Sequence, residues 1–304
     1  MSIEQELIKS WHENYEPLWN TEARLSKAEF QIPGEPRLVL VHNSLRDYYE
    51  KNKKKEAEER QIGGGKCVLD DEPRVRSKTI PYETLFFRIN AKPSLKFHLF
   101  IQPLEHREYP LASDHKTIMD FVSETNFAVY QNLRGSGAGF PDHVHYQGQL
   151  RENFPLLTDY LYEPSAEITN DRFDLIYPQM LNFGALFKMK SQKARDVVSY
   201  LIQEIGEELV NEGIFYNLIF SKNKVFLFPR TKEIAQNIPQ ELRELGMDQW
   251  QIAGQEMGYL FSAKCLPIFQ RLSWQTLVDI SRETTVVDTS QQQNLKDLIN
   301  RRCK

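Results

Sequence analysis

Cysteine is scarce in this sequence: Cys67, Cys265 and Cys303 are the three, odd in number and far apart. That excludes a disulfide framework and points to a reducing compartment, the cytoplasm. No apolar run approaches the ~18 residues that a membrane-spanning helix needs. The opening "MSIEQELIKSWHENYEPLW" is mixed in charge and has no apolar centre of the kind a signal peptide carries. Neither sign of charge dominates, for the formal net charge is −4. A general nucleic-acid surface or a polybasic membrane contact is therefore not expected. The pattern Gly-x-x-x-x-Gly-Lys-Ser/Thr is missing, which removes a P-loop. Histidine is rare as well, at seven in 304 residues. Yet two histidines stand one residue apart in "DHVHYQGQ" (142–149), and a glutamine follows at the same interval.

What is present suffices for a core: 40% of residues are hydrophobic and 12% aromatic. Residues 3–19 read as a helix with Ile3, Leu7, Ile8 and Trp11 on one face, and "RLVLVHNSL" reads as a strand. The charged run "YYEKNKKKEAEERQIGGGK" (48–66) reads as a solvated, mobile insertion in preference to a phosphate grip. Residues 1–79 then form an N-terminal extension. From residue 80 the texture changes to strand, turn and strand ("ETLFFRIN", "KFHLFIQP"), a helix over 113–125, and a strand at 126–132. A glycine-rich loop leads on into "HVHYQGQL". The same menu recurs loosely afterwards. The helix "ARDVVSYLIQEIGEEL" has Ala194, Val197, Val198, Leu201, Ile202, Ile205 and Leu209 on one stripe, with Ser191 before it and Gly213 behind it. "IFYNLIF" and "VFLFP" make a hairpin, "WQIAGQEMGYLFS" a strand region, and "SWQTLVDISRE" a closing helix. Short turns between strands favour an α+β fold on antiparallel sheet, split at 80–165 and 166–304. The two halves read as diverged copies of one unit, although no residue-level repeat proves it.

Side chains alternate between the faces of a strand. His143, His145 and Gln147 would share one face, about 6.5–7 Å apart per step, while Val144 and Tyr146 pack on the other. Gly135, Gly137 and Gly139 precede them, with Ser136 and Ala138 between. So bare a backbone can bring N–H groups close to an anion. Neutral imidazole is a competent nucleophile near pH 7, and a phosphate held by that loop would lie beside it. Taken alone, His-x-His also fits a metal pair or two surface residues.

"NLRGSGAGFPDHVHYQ" resembles the active-site segment of the histidine-triad (HIT-like) superfamily. There an Asn ends a strand, a glycine loop follows, and His-x-His-x-His or His-x-His-x-Gln closes the segment. "FFRINAKPSLKFHLFIQPLEH" resembles the preceding hairpin, so the likeness runs from Phe86 to Gln147. Glutamine at the third position resembles the galactose-1-phosphate uridylyltransferases, the diadenosine tetraphosphate phosphorylases and the GDP-hexose phosphorylases. "SDHKTIMDF", "FYNLIFSKNKVFLFPR" and "WQIAGQEMGYLF" look most like the last group. The resemblance implies a HIT-like antiparallel sheet with flanking helices. It implies a nucleotidyltransferase of phosphorylase type, which would split a nucleoside diphosphate hexose, GDP-hexose favoured, with inorganic phosphate. His145 would be the nucleophile, His143 an orienting residue, and Gln147 a donor to the transferred phosphoryl group. Asn90 and Asn132 would meet ribose or phosphate, beside the loop of Gly135, Gly137 and Gly139. Arg134 and Arg230 are cations that could hold the acceptor phosphate, or surface residues.

Glutamine neither gives nor takes a proton at pH 7, and this favours transfer to phosphate over hydrolysis. No cofactor and no metal are expected. Some departures keep other readings open. The uridylyltransferases often carry Cys-x-x-Cys ahead of the hairpin, where this chain has Cys67 and Asp70 in "CVLD". With His106 and His143 these could make a mixed metal site of a hydrolase. Phe140 and Asp142 replace the Ser and the Pro or Asn of relatives, which leaves a non-catalytic nucleotide-binding protein as another reading. A dinucleoside polyphosphate is the alternative substrate.

Overall fold

The computed structural model describes residues 1–22, 25–44, 79–90, 93–133, 135–136, 143–160 and 164–304. Helices α1 (Ile3–Asn14) and α2 (Glu16–Glu22) precede β1 (Leu25–Phe30) and β2 (Leu38–Asn43). Next come β3 (Ile80–Tyr82), β4 (Leu85–Ile89), β5 (Leu99–Pro103), α3 (Ala112–Glu124), β6 (Phe127–Asn132) and β7 (Tyr146–Leu150). A short α4 (Pro155–Thr158) leads to β8 (Ile168–Thr169), β9 (Phe173–Ile176), β10 (Ala185–Met189), α5 (Ala194–Asn211), β11 (Phe215–Ser221) and β12 (Lys224–Arg230). The tail holds β13 (Ile234–Ala235), α6 (Gln240–Arg243), β14 (Trp250–Gln251), α7 (Gly254–Met257), β15 (Leu260–Ser262), α8 (Leu266–Arg271), α9 (Trp274–Thr284) and α10 (Thr289–Cys303).

Ten strands form one sheet in the order β3-β4-β5-β7-β6-β11-β12-β10-β9-β8. Each neighbouring pair in it is antiparallel. The order is a repeat. Read from either edge it runs edge strand, hairpin, then a second hairpin whose strands are swapped. A helix joins the hairpins in each half: α3 in the first and α5 in the second. The halves meet at β6 and β11, where Asn132 pairs with Asn217. The sheet is thus α+β and antiparallel, as the short turns predict.

The two faces bury different layers. Phe87, Ile101, Val129 and Tyr146 pack under helices through Trp11, Ile118, Ile202 and Leu298. Tyr130, Phe226 and Phe228 pack under the tail and the small sheet β1-β2-β15 through Leu40, Phe261 and Ile280. The stripe of α5 lies in the first layer, with Ala194, Val198, Ile202, Ile205 and Leu209 buried and Val197 and Leu201 partly buried against them. Each fully buried Ile or Leu there contributes roughly 1.5–3 kcal/mol. Gly213 ends that helix at φ +75°, a conformation glycine adopts without strain.

Three expectations need correction. The first helix breaks at Tyr15 into α1 and α2. "WQIAGQEMGYLFS" is a strand, a one-turn helix and a strand, because Gly254 and Gly258 bracket the turn. α9 does not close the chain, since Asp288 caps a further helix, α10, through the amides of Ser290 and Gln291. The charged run 48–66 lies outside the described residues. Among the described residues no helix is long and apolar enough to cross a membrane.

Candidate active site

β7 starts only at Tyr146, so His143 and His145 belong to the extended segment before it. The alternation nevertheless holds. Val144 and Tyr146 lie in the helix-side core. His145 takes the opposite face, its ring stacked on Phe100 at 5.3 Å and 8°. Phe100 pairs with Gln147 across β5 and β7, and Arg88 of β4 lies 4.5 Å over the Phe100 ring. The Nδ1–H of His145 donates to the carbonyl of His143 at 3.0 Å. That bond settles the tautomer: Nε2 carries the lone pair, in the form a nucleophile needs. His145 is 1% exposed, and burial holds its pKa below the ordinary imidazole value, so the ring is neutral at pH 7. The His143 backbone carbonyl thus fixes the orientation of the His145 ring. Its own ring meets His106, Nδ1 to Nδ1 at 3.0 Å.

Gln147 is held at its oxygen. Oε1 accepts from the Tyr130 hydroxyl and from Nε2 of His98, both at 2.8 Å. Nδ1 of His98 accepts from the Ser94 amide at 3.1 Å. A backbone N–H can only donate, so the His98 proton sits on Nε2, where it faces Gln147. The Asn90 amide lies 3.4 Å from the same nitrogen. Tyr130 also lies 3.3 Å from Oε1 of Gln255 on α7, which takes the Gln149 amide at 3.0 Å.

Asn132 lies one step past the Gln131–Tyr146 pair, level with His145. Its Oδ1 accepts from the Gly254 amide at 2.7 Å and from Asn217 at 3.0 Å. The turn that opens the glycine loop follows. Leu133 N–H donates to the Ser136 hydroxyl at 2.8 Å, and the Ser136 amide returns to the Leu133 carbonyl at 2.9 Å. Asn217 pins the Ser136 carbonyl at 2.8 Å. Gly135 sits at φ +79°, and a Cβ there would meet the Phe215 ring at 2.4 Å. No other residue fits that corner without moving β11.

A family model described as "Domain of unknown function (DUF4922)" matches residues 5–150. No curated protein matches the sequence. Among solved structures, yeast Ap4A phosphorylase Apa2 in complex with Ap4A is similar over 93% of this chain and 97% of that chain, with a TM-score of 0.62 and 10% identity. The Apa2 complex with AMP is similar over 91% and 94%, with a TM-score of 0.59 and 11% identity. The chain has the HIT-like fold.

Within that fold the second half carries no counterpart of the imidazole row. Where β7 turns Gln147 to the site face, β12 turns Phe226 and Phe228 into the core. The same strand supplies Arg230, expected as a phosphate-holding cation. The structure corrects that expectation. Arg230 is 1% exposed. Its guanidinium donates to the carbonyls of Thr284 (3.0 Å), Ile252 (3.3 Å) and Lys232 (3.0 Å) and to Oδ1 of Asn217 (2.7 Å). It braces Asn217, and through it the Ser136 carbonyl, instead of presenting charge to a ligand. Arg134, Gly137, Gly139, Phe140 and Asp142 lie outside the described residues, as do Cys67 and Asp70. Among the described residues no group of three His, Cys, Asp or Glu could hold a metal.

The structure thus gathers Asn90, Asn132, His145 and Gln147 on one face of the first half. Sequence reasoning passed over His98, Phe100, Tyr130, Asn217 and Gln255. His98 is buried, and its hydrogen bond to Gln147 makes it part of the site. Local spacing relates His98 to Asn90, but nothing local relates Gln255 to Tyr130, 125 residues away.

Proposed function

We propose that this protein is a nucleotidyltransferase of phosphorylase type that works through His145. One observation carries the reading: a buried, neutral imidazole, flat on Phe100, with its proton fixed on Nδ1 by the His143 carbonyl. In the first step Nε2 attacks the phosphorus that bears the nucleoside. The N–P bond forms, the P–O bond of the anhydride breaks, and the leaving phosphate departs with the electron pair. Positive charge grows on the ring and is shared with the carbonyl through Nδ1–H. In the second step an oxygen of inorganic phosphate attacks, the P–N bond breaks, and neutral His145 is restored. Two successive displacements of this kind need positioning and donors to the phosphoryl oxygens more than proton transfer. Gln147 supplies such donors, for its oxygen is committed and its NH₂ remains. Since His145 is only 1% exposed, the ring must be uncovered before a nucleotide can reach it.

The substrate would be a nucleotide joined through a phosphoanhydride. The sequence resemblance favours a GDP-hexose. Similarity to the fold of an Ap4A phosphorylase over nearly the whole chain supports a dinucleoside polyphosphate as the alternative. The sparse cysteines agree with work in a reducing cytoplasm.

The test is a panel of GDP-, UDP- and ADP-sugars and diadenosine polyphosphates with inorganic phosphate, read by release of nucleoside diphosphate. One class should turn over, label should stay on the protein in acid-labile form when phosphate is withheld, and His145→Ala should abolish both. Full activity in that variant would overturn the assignment. Tight nucleotide binding with no product would favour a binding protein instead.

A further inference from the structure

The polar groups beneath Gln147 do more than fill space. Oε1 has two lone pairs, and both are taken, by the phenol of Tyr130 and by Nε2–H of His98. Rotating the amide by half a turn would set its NH₂ against the His98 proton and aim its oxygen at the phosphoryl group. His98 can only donate there, because Ser94 fixes its tautomer. Tyr130 is different, since among the described residues its one proton has two side-chain amide oxygens within reach. Gln147 Oε1 lies at 2.8 Å and Gln255 Oε1 at 3.3 Å. The second already takes the Gln149 amide at 3.0 Å. The shorter bond wins, and the phenol proton goes to Gln147.

We infer that Tyr130 is a positioning residue for the amide of Gln147: its hydroxyl holds Oε1 down so that the NH₂ faces the phosphorus bound at His145. The inference rests on the nucleotidyl-transfer reading above. It adds a role for α7, whose Gln255 competes for the same proton and so tunes how firmly Gln147 is held. Tyr130 touches no reacting atom. Its ring packs edge-on against Phe154 at 5.9 Å. Phenylalanine would keep that packing and lose only the hydroxyl.

Tyr130→Phe should keep its melting temperature and lower kcat about tenfold, the share of one hydrogen bond, with little change in KM. In a Gln147→Ala background the same change should cost nothing further, because the amide it positions is gone. A loss of equal size in both backgrounds, or unchanged kcat in the single variant, overturns the inference. A second readout does not need turnover. The side-chain ¹⁵NH₂ signals of Gln147, assigned by their loss in Gln147→Ala, should shift or broaden in Tyr130→Phe. Unmoved signals overturn the inference even if the enzyme is active. Shifted signals in a protein that turns over no nucleotide uphold the positioning and sink the proposed reaction instead.

Discussion

A guanidinium that is 1% exposed shows how little charge alone says about a role. Arg230 meets three carbonyls and one amide oxygen from four separate stretches of chain. Burial lowers its pKa to about 10, and the nearby carboxylates of Glu256 and Glu233 oppose that, so it stays charged at pH 7. Lysine has three donors on a flexible stem and cannot reproduce a planar fork. Arg230→Lys should therefore destabilise the fold by about 3 kcal/mol or more, each stranded carbonyl adding roughly 1–3 kcal/mol. Urea unfolding measures the loss. The folded fraction should keep its KM for phosphate. Unchanged stability with a raised KM would restore the phosphate-binding role that the sequence suggests. Arginine was legible there, but burial was not, because no local pattern says which strand of a hairpin-rich chain becomes central. The imidazole row was legible for the opposite reason. Alternation is local, and Val144 and Tyr146 had to go into the core whatever covers it.

Elements hold the site through loops that look unrelated to it. Phe97 lies just before His98 and takes φ +58°, a region costly for a bulky side chain. What holds it there is packing: its ring lies 5.1 Å from Trp11 and 6.1 Å from His12 on α1. Reading residues 1–79 as an extension separates α1 from the catalytic half, but Leu7 and Trp11 share one core with Phe87 and Ile101. The matched family region begins at residue 5 and ends at residue 150, which takes in most of α1 and the whole of β7. Sequence periodicity found the helix but could not say what it presses on. Trp11→Ala removes a fully buried indole and should cost about 3–5 kcal/mol. Its sharper signature is local: amide exchange of residues 93–99 should speed up by more than that of β12. Equal loss of protection in both segments would mean that α1 serves the core as a whole and gives this loop no special support.

At the scale of the molecule the repeated strand order gives one half the imidazole row and has the other brace it. We propose that the halves, 80–165 and 166–304, are diverged copies of one unit. The first keeps the imidazoles, while the second has Phe226 and Phe228 on the matching face and lends Asn217 and Arg230 to the loop. His115 sits at their seam. It lies on α3 of the first half, its Nε2 is 3.3 Å from Oε1 of Gln131, and its ring is 5.7 Å from that of Phe220 on β11 of the second. Burial lowers its pKa to about 4, against the opposing pull of Asp114. An unfolded chain titrates this group near 6.5. Between those values the unfolded state binds a proton that the folded state refuses, so stability falls as pH drops below 6.5 and is unaffected above it. The slope from this one group is about 1.4 kcal/mol per pH unit. His145, whose pKa burial also lowers, acts in the same direction. Unfolding followed by urea from pH 6.5 to 5, above the range where carboxylates titrate, confines the effect to the histidines. His115→Gln keeps a partner for Gln131 and has no proton to refuse, so its stability should fall less steeply over that window. Equal slopes in the two proteins would mean that His115 takes up its proton without the halves coming apart, and the seam would then be looser than its packing indicates.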